Sequence, residues 1–186
     1  MIDEILKETE QHMTTALQAL QRDLAGIRTG RATTTLLDGI RVKYYGTPTP
    51  LNQLSTVSAP EPRLLMVKPY ENTIIGEIEK AIRADATLGL NPSNDGKVIR
   101  IPVPPLTDDR RKELSRLVHK FTEDGRNSVR QVRRDVNDTL KKLHKNHKLG
   151  EDEQRHALDA VQKITDEHVD TINELQKTKD EELLQR

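Results

Sequence analysis

Apolar or small residues recur along the first 27 positions in steps of four and three: Ile2, Leu6, Thr9, Met13, Ala16, Leu20, Leu24 and Ile27. That heptad-like seam predicts a helix with one buried stripe. A second seam starts near Thr107 and runs through Leu114, Leu117/Val118, Phe121, Ser128, Val132, Val136 and Thr139 to Leu143. A third follows Leu149-Gly150 and passes Ala157, Val161, Ile164, Ile172, Leu175 and Leu183. Helices of about 27, 39 and 34 residues would span roughly 40, 58 and 51 Å. Three such helices, two of them joined by a short turn, predict an elongated three-helix bundle. Gly125 interrupts the second seam and costs about 1 kcal/mol relative to alanine unless close packing requires it.

The middle of the chain follows another rule. All nine prolines lie between Pro48 and Pro105, and six of the nine glycines between Gly30 and Gly96. Proline interrupts helices, so long helices belong outside this segment. Ile40–Tyr45 alternates like a strand and ends at a Gly46-Thr47-Pro48 turn; Leu51–Ser58, Arg63–Lys68 and Lys97–Val103 are further strand candidates. Ile74–Ala86 reads as a helix with Ile74, Ile78, Ala81 and Ile82 on one face, and Leu90–Gly96 as a cluster of turn formers. The first helix cannot bury its seam alone, and its partners arrive only after residue 106. The expectation is therefore an α+β chain in which a small α/β, β-sandwich-like domain (31–104) is inserted after the first helix of a bundle (1–29 with 106–186). Hinges are expected near 29–31 and 102–106, at Thr29, Gly30, Arg31, Pro104 and Pro105, because short double connections at glycine and proline suit a hinge better than a loose tether.

Within the second helix, valines 129, 132 and 136 mark the buried side. Arg126, Arg130, Arg133 and Arg134 fall beside it, within an arc of about 100°. Lys112, Arg116, His119, Asn137, Lys141, His144, Lys145 and Lys148 extend the same flank, with Glu123 its only acid. A straight helix from Lys112 to Lys148 would display that flank over about 54 Å.

Composition sharpens this picture. The chain has 186 residues and a formal net charge of zero, but the charge is sorted. Residues 107–148 carry 13 basic and 7 acidic side chains, a surplus of six positive; residues 151–186 carry 5 basic and 11 acidic, a surplus of six negative. Local field decides what a surface attracts. The plain alternative is a solvated charged face, the reading about half of such runs deserve. Length, scarcity of acids and the central arginines, whose planar fork matches phosphate oxygens, favour a polyanion. One Phe and three Tyr are too few for base stacking, which points to the backbone of structured RNA.

Other chemistry is thin. There is no cysteine, hence no disulfide or thiolate site. His144 and His147 are three apart near a helix end, where dipole-favoured imidazoles are a better account than a metal site. No phosphate-cradling glycine loop or nucleophile elbow is present. The expectation is no enzyme, no catalytic residue, no metal and no cofactor. The N-terminus shows helical periodicity at once, without a signal-peptide pattern, and no window approaches an apolar span of about 20 residues. A cytoplasmic protein with no membrane partner is expected. A helical scaffold whose opposed charges drive self-association is the competing reading, although helices that are neighbours through a short turn can satisfy that attraction within a monomer. A hydrolase hidden in the insert has only its fold class behind it.

The motifs Ile27-Arg28-Thr29-Gly30-Arg31-Ala32, Leu36-Leu37-Asp38-Gly39-Ile40 and Tyr44-Tyr45-Gly46-Thr47-Pro48-Thr49-Pro50-Leu51 closely resemble the bacterial ribosome recycling factors. So do Leu88-Gly89-Leu90-Asn91-Pro92, Ile101-Pro102-Val103-Pro104-Pro105-Leu106-Thr107 and Val132-Arg133-Arg134-Asp135. The resemblance covers essentially the whole chain. It implies an L-shaped molecule of transfer-RNA-like size that binds the post-termination 70S ribosome and, with elongation factor G and GTP, splits it to free messenger and transfer RNA. It also implies contact between the second helix and large-subunit RNA near the peptidyl transferase region. Carried onto this chain, the RNA contacts would be Arg130, Arg133 and Arg134, then Arg28, Arg31 and Arg110; Arg126 joins them from the charge pattern. Gly150 stands where other members can carry a stronger helix cap, and glycine is an acceptable one.

Overall fold

The computed structural model describes residues 1–86 and 88–184; Gln185 and Arg186, the end of the expected bundle segment, lie outside them. The chain forms two compact units, Met1–Ile27 with Asp108–Gln185, and Arg28–Thr107.

The first unit is three helices: α1 (Ile2–Ala25), α4 (Asp108–Lys145) and α5 (Glu151–Leu184). Each buries one stripe. Thr9, Met13, Leu20 and Leu24 of α1 meet Leu114, Val118, Val129 and Leu140 of α4 and Ala157, Val161, Ile172 and Leu183 of α5. The α4 stripe differs from the expected seam at its centre. Ser128 is exposed, and the buried positions are Thr122, Gly125 and Val129, while Val132 and Val136 are only half-buried. Gly125 is no blemish. A β-carbon there would sit 3.0 Å from Leu20 Cδ2 and 3.7 Å from Ile172 Cδ1, so the missing side chain is what lets three helices approach.

Asp108 and Asp109 open α4, and Lys142, His144 and Lys145 close it, matching the helix dipole. His147 turns the chain through a left-handed conformation (φ 57°), and the Lys148 amide donates to the Leu143 carbonyl at 2.9 Å. His144 Nδ1 stands 3.0 Å from the Leu149 carbonyl, so this ring ties the end of α4 to the turn. Glu153 accepts from the Gly150 amide at 2.9 Å, half of a capping box that compensates for glycine at the cap.

The second unit holds a two-stranded hairpin, β1 (Arg41–Tyr44) with β2 (Thr47–Pro50), and a four-stranded antiparallel sheet ordered β3-β4-β6-β5. Those strands are β3 (Ser55–Glu61), β4 (Leu64–Pro69), β5 (Ser93–Asn94) and β6 (Ile99–Pro102). The two sheets and α3 (Ile75–Ala84) share one core of Val42, Leu51, Leu65, Val67, Ile78, Ile82, Ile99 and Ile101. Three expectations change here. Leu51–Leu54, read as the start of a strand, is one helical turn (α2), because its two leucines at i and i+3 both point into the core. Thr47–Pro50, whose first two residues read as part of a turn, is a strand: Pro48 and Pro50 pair with Lys43 and Arg41 in a sheet of two strands, where a missing N–H is tolerated. The Leu90–Gly96 turn cluster contains β5, paired to β6 at Ser93↔Arg100 and Asn94↔Ile99.

Between β5 and β6, Asp95 organises the turn. Its carboxylate accepts from Arg100 Nη1 at 2.8 Å and from the Val98 and Lys97 amides at 2.9 and 3.0 Å. Arg100 first, then the two amides, hold this carboxyl well below the usual carboxylate range. A depressed folded pKa contributes stability above the ordinary value near 3.9 and loses it as pH falls through the folded value. The Lys97 and Val98 amide resonances are therefore expected to stay in place as pH drops through 4 and to shift only in stronger acid. Movement with an ordinary aspartate midpoint would contradict the Arg100 contact.

Candidate nucleic-acid interface

With its apolar stripe buried in the bundle, α4 carries the arginines along the edge where it meets α5. The contacts run the length of that edge. Near the start of α4, Ser115 Oγ donates to Asp180 at 3.2 Å, and His119 Nε2 lies 2.8 Å from the same carboxylate. One turn on, Thr122 donates to Gln176 at 3.0 Å. Arg126 then reaches across, with Nε donating to Asn173 at 3.0 Å and Nη2 to Gln176, while Nη1 donates to Glu123 of its own helix at 3.0 Å. Two turns further, Arg133 Nη1 donates to Gln162 at 3.1 Å.

These arginines divide by environment. The Arg126 side chain retains 15% exposure, and its guanidinium is taken up by Glu123 and two amides, so it clamps α4 to α5. Arg130, 39% exposed, makes a looser 3.4 Å contact with Glu123. Arg133 is half-buried; among the described residues its only partner is a neutral amide, which orients the guanidinium without cancelling its charge. Arg134 is exposed and has no ion pair among the described residues, as do Arg116, Lys141 and Lys145. The edge thus presents a held positive charge at Arg133 bordered by exposed positive charges.

Other candidates stand apart from this edge. Arg110, in the first turn of α4, pairs with Glu113 at 2.8 Å and falls outside the arc on the helical wheel. Arg28 and Arg31 belong to the second unit; Arg31 is exposed, whereas Arg28 Nη2 donates to the Pro104 carbonyl at 2.6 Å. That bond joins the two connecting segments. Beside it Gly30 adopts φ 82°, and a β-carbon at this position would lie 3.2 Å from Leu106 Cγ. Thr29 is half-buried, and Pro104 and Pro105 are exposed. Gly30→Ala is expected to lower the stability of this unit by about 1–2 kcal/mol in denaturant titration, and Gly30→Asn by less, because asparagine tolerates left-handed backbone. Equal stability of Gly30→Ala and the parent would contradict that conformation.

The acceptors were not legible from the arginines. Gln162, Asn173 and Gln176 fall within roughly 60° of one another on the wheel, a line of neutral amides on an otherwise acidic helix. That line is the signal in the sequence. Among the described residues no group of three or more His, Asp or Glu is placed to hold a metal ion.

The description "Ribosome recycling factor" matches residues 20–184. The ribosome-recycling factors of Bacillus licheniformis and Bacillus subtilis are each 50% identical over 185 residues, covering all of both chains. A solution structure of the ribosome recycling factor superposes with a TM-score of 0.81 at 42% identity, covering 98% of this chain and 97% of that one. The T. thermophilus factor, placed with E. coli elongation factor G on the E. coli post-termination complex, covers all of both chains at 46% identity and a TM-score of 0.69. Full-length identity at this level, on the same fold and over the segment that carries the arginine edge, shows that the chain belongs to the ribosome recycling factor family.

Proposed function

We propose that this protein binds the post-termination ribosome and, together with elongation factor G and GTP, splits it into subunits so that messenger and transfer RNA are released. The observation that carries this reading is the 46%-identical relative placed with elongation factor G on a post-termination complex. The arginine edge supplies the physical means. Arg130, Arg133 and Arg134 engage phosphates of large-subunit RNA, and Arg126 acts mainly by holding α4 on α5. No covalent chemistry is asked of this chain; the family is one of non-enzymatic translation factors, and the free energy comes from the partner's nucleotide. The bundle (1–29 with 106–186) anchors on RNA. The inserted domain (31–104) is the movable part, turning about Thr29, Gly30, Arg31, Pro104 and Pro105, and the site of action is the cytoplasm, where ribosomes work.

The test is a subunit-splitting assay on post-termination ribosomes, read by light scattering. Splitting is expected only when this protein, elongation factor G and GTP are all present. Intact ribosomes under that full set of conditions, with the factor shown to be folded, would overturn the reading.

A further inference from the structure

The arginine edge is bordered by acids on its α5 side. On one side, α5 carries 11 acidic and 4 basic residues. Asp159, Asp166, Asp170, Glu174 and Glu181 share an exposed arc of about 80° on its outer surface, offset there by only Lys163 and Lys177. Asp166 sits directly against the edge: Gln162 accepts from Arg133 and donates to Asp166 at 2.8 Å, so one amide links the Arg133 guanidinium to the Asp166 carboxylate. On the other side, the far flank of α4 is mixed: Glu113, Asp124 and Asp138 share an arc of about 40° with Lys120 and Lys142. The third helix, α1, adds five acids against two bases. The positive edge therefore runs beside a surface of α5 with a clear surplus of acids.

We propose that the bordering acids, led by Asp159, Asp166 and Asp170, are specificity-determining residues that fix the rotation of the bundle about its long axis on RNA. This rests on the ribosome-binding reading above. Packed helices lie about 8–10 Å apart, which is close to one Debye length at 0.1 M salt. A bundle rolled toward α5 brings these carboxylates within that range of phosphates and is repelled. A bundle presenting α4 keeps them outward and is attracted. Attraction alone would leave a charged rod free to roll; the acids close the orientations that present α5. The same arrangement disfavours RNA that meets the bundle on its α5 side, so it also suppresses binding to irrelevant duplexes there.

The test replaces the acids while keeping their shapes. The triple variant Asp159→Asn, Asp166→Asn, Asp170→Asn retains an acceptor for Gln162. A control variant, Asp38→Asn, Glu61→Gln, Glu77→Gln, changes the net charge equally at exposed positions of the second unit. Binding to a short RNA duplex of non-ribosomal sequence is read by fluorescence anisotropy at about 0.1 M salt. The triple variant is expected to bind that duplex about tenfold tighter than the parent, and the control less than threefold tighter. The gain should survive addition of Arg133→Ala, because a new side of the bundle makes the contact. Equal gains in both variants would show that net charge alone matters, and no gain in either would show that the acids exclude nothing; either result overturns the proposal. Ribosome binding by the parent, and its loss in Arg133→Ala, are measured alongside. Failure there strikes the ribosome-binding reading, whereas success there with unaltered duplex binding strikes only this one.

Discussion

Gly125→Leu is expected to destabilise the helical bundle by about 3 kcal/mol, the upper part of the range for overpacked cores. The β-carbon alone would stand 3.0 Å from Leu20 Cδ2, 3.6 Å from Leu20 Cβ and 3.7 Å from Ile172 Cδ1. Three further carbons have no room, since Leu20 is 3% exposed and Ile172 fully buried. Leucine's better helix propensity returns about 1 kcal/mol, which the clash must exceed. For a chain of this size the loss corresponds to a fall of roughly 6–12 °C in the melting temperature followed by helical circular dichroism. Gly125→Ala separates the two effects. Its propensity gain is of the same size as the strain of moving Leu20 by a few tenths of an ångström, so it should lie within about 1 kcal/mol of the parent. Pairing Gly125→Leu with Leu20→Ala should recover part of the loss, a coupling that independent sites do not show. Full stability of Gly125→Leu would mean that α1, α4 and α5 do not converge at this residue.

That glycine also shows where sequence reasoning reaches its limit. The three long helices are legible because a 3.6-residue period repeats over dozens of residues, and the antiparallel insert because proline and glycine punctuate it. What periodicity misses is set by neighbours that the local pattern does not contain. The seam passes over Gly125 to Ser128 because a glycine offers no side chain to mark a buried face, and only Leu20 and Ile172 packed against it show that it is one. Leu51–Leu54 reads as the start of a strand because two leucines three apart do not distinguish one helical turn from extended chain. Thr47–Pro50 hides a strand because the tolerance of a two-stranded sheet for proline depends on which edges remain open. The basic flank itself was legible from charge order along one helix. Which arginine is consumed as a clamp and which stays available was not, since that depends on Asn173 and Gln176 facing Arg126 while Gln162 faces Arg133.

The same distinction makes Arg133 the position at which the proposed ribosome contact can be tested apart from stability. Arg133→Ala is expected to weaken ribosome binding by about 10- to 150-fold, the equivalent of one charge-assisted hydrogen bond of roughly 1.5–3 kcal/mol. Its bond to Gln162 is partly solvated, so the melting temperature should barely change. The salt dependence carries the mechanism. Removing one phosphate contact should reduce the slope of log affinity against log salt by about 0.7–0.9, so parent and variant converge as salt rises. Arg133→Lys should fall between them, keeping the charge but losing the planar fork. Arg126→Ala should behave in the opposite way: its guanidinium is largely buried against Asn173, Gln176 and Glu123, so the bundle loses stability, and binding declines only as folding does. If folded Arg133→Ala binds ribosomes as tightly as the parent at every salt concentration, the phosphate contact lies elsewhere on α4, and Arg130 and Arg134 become the residues to replace next.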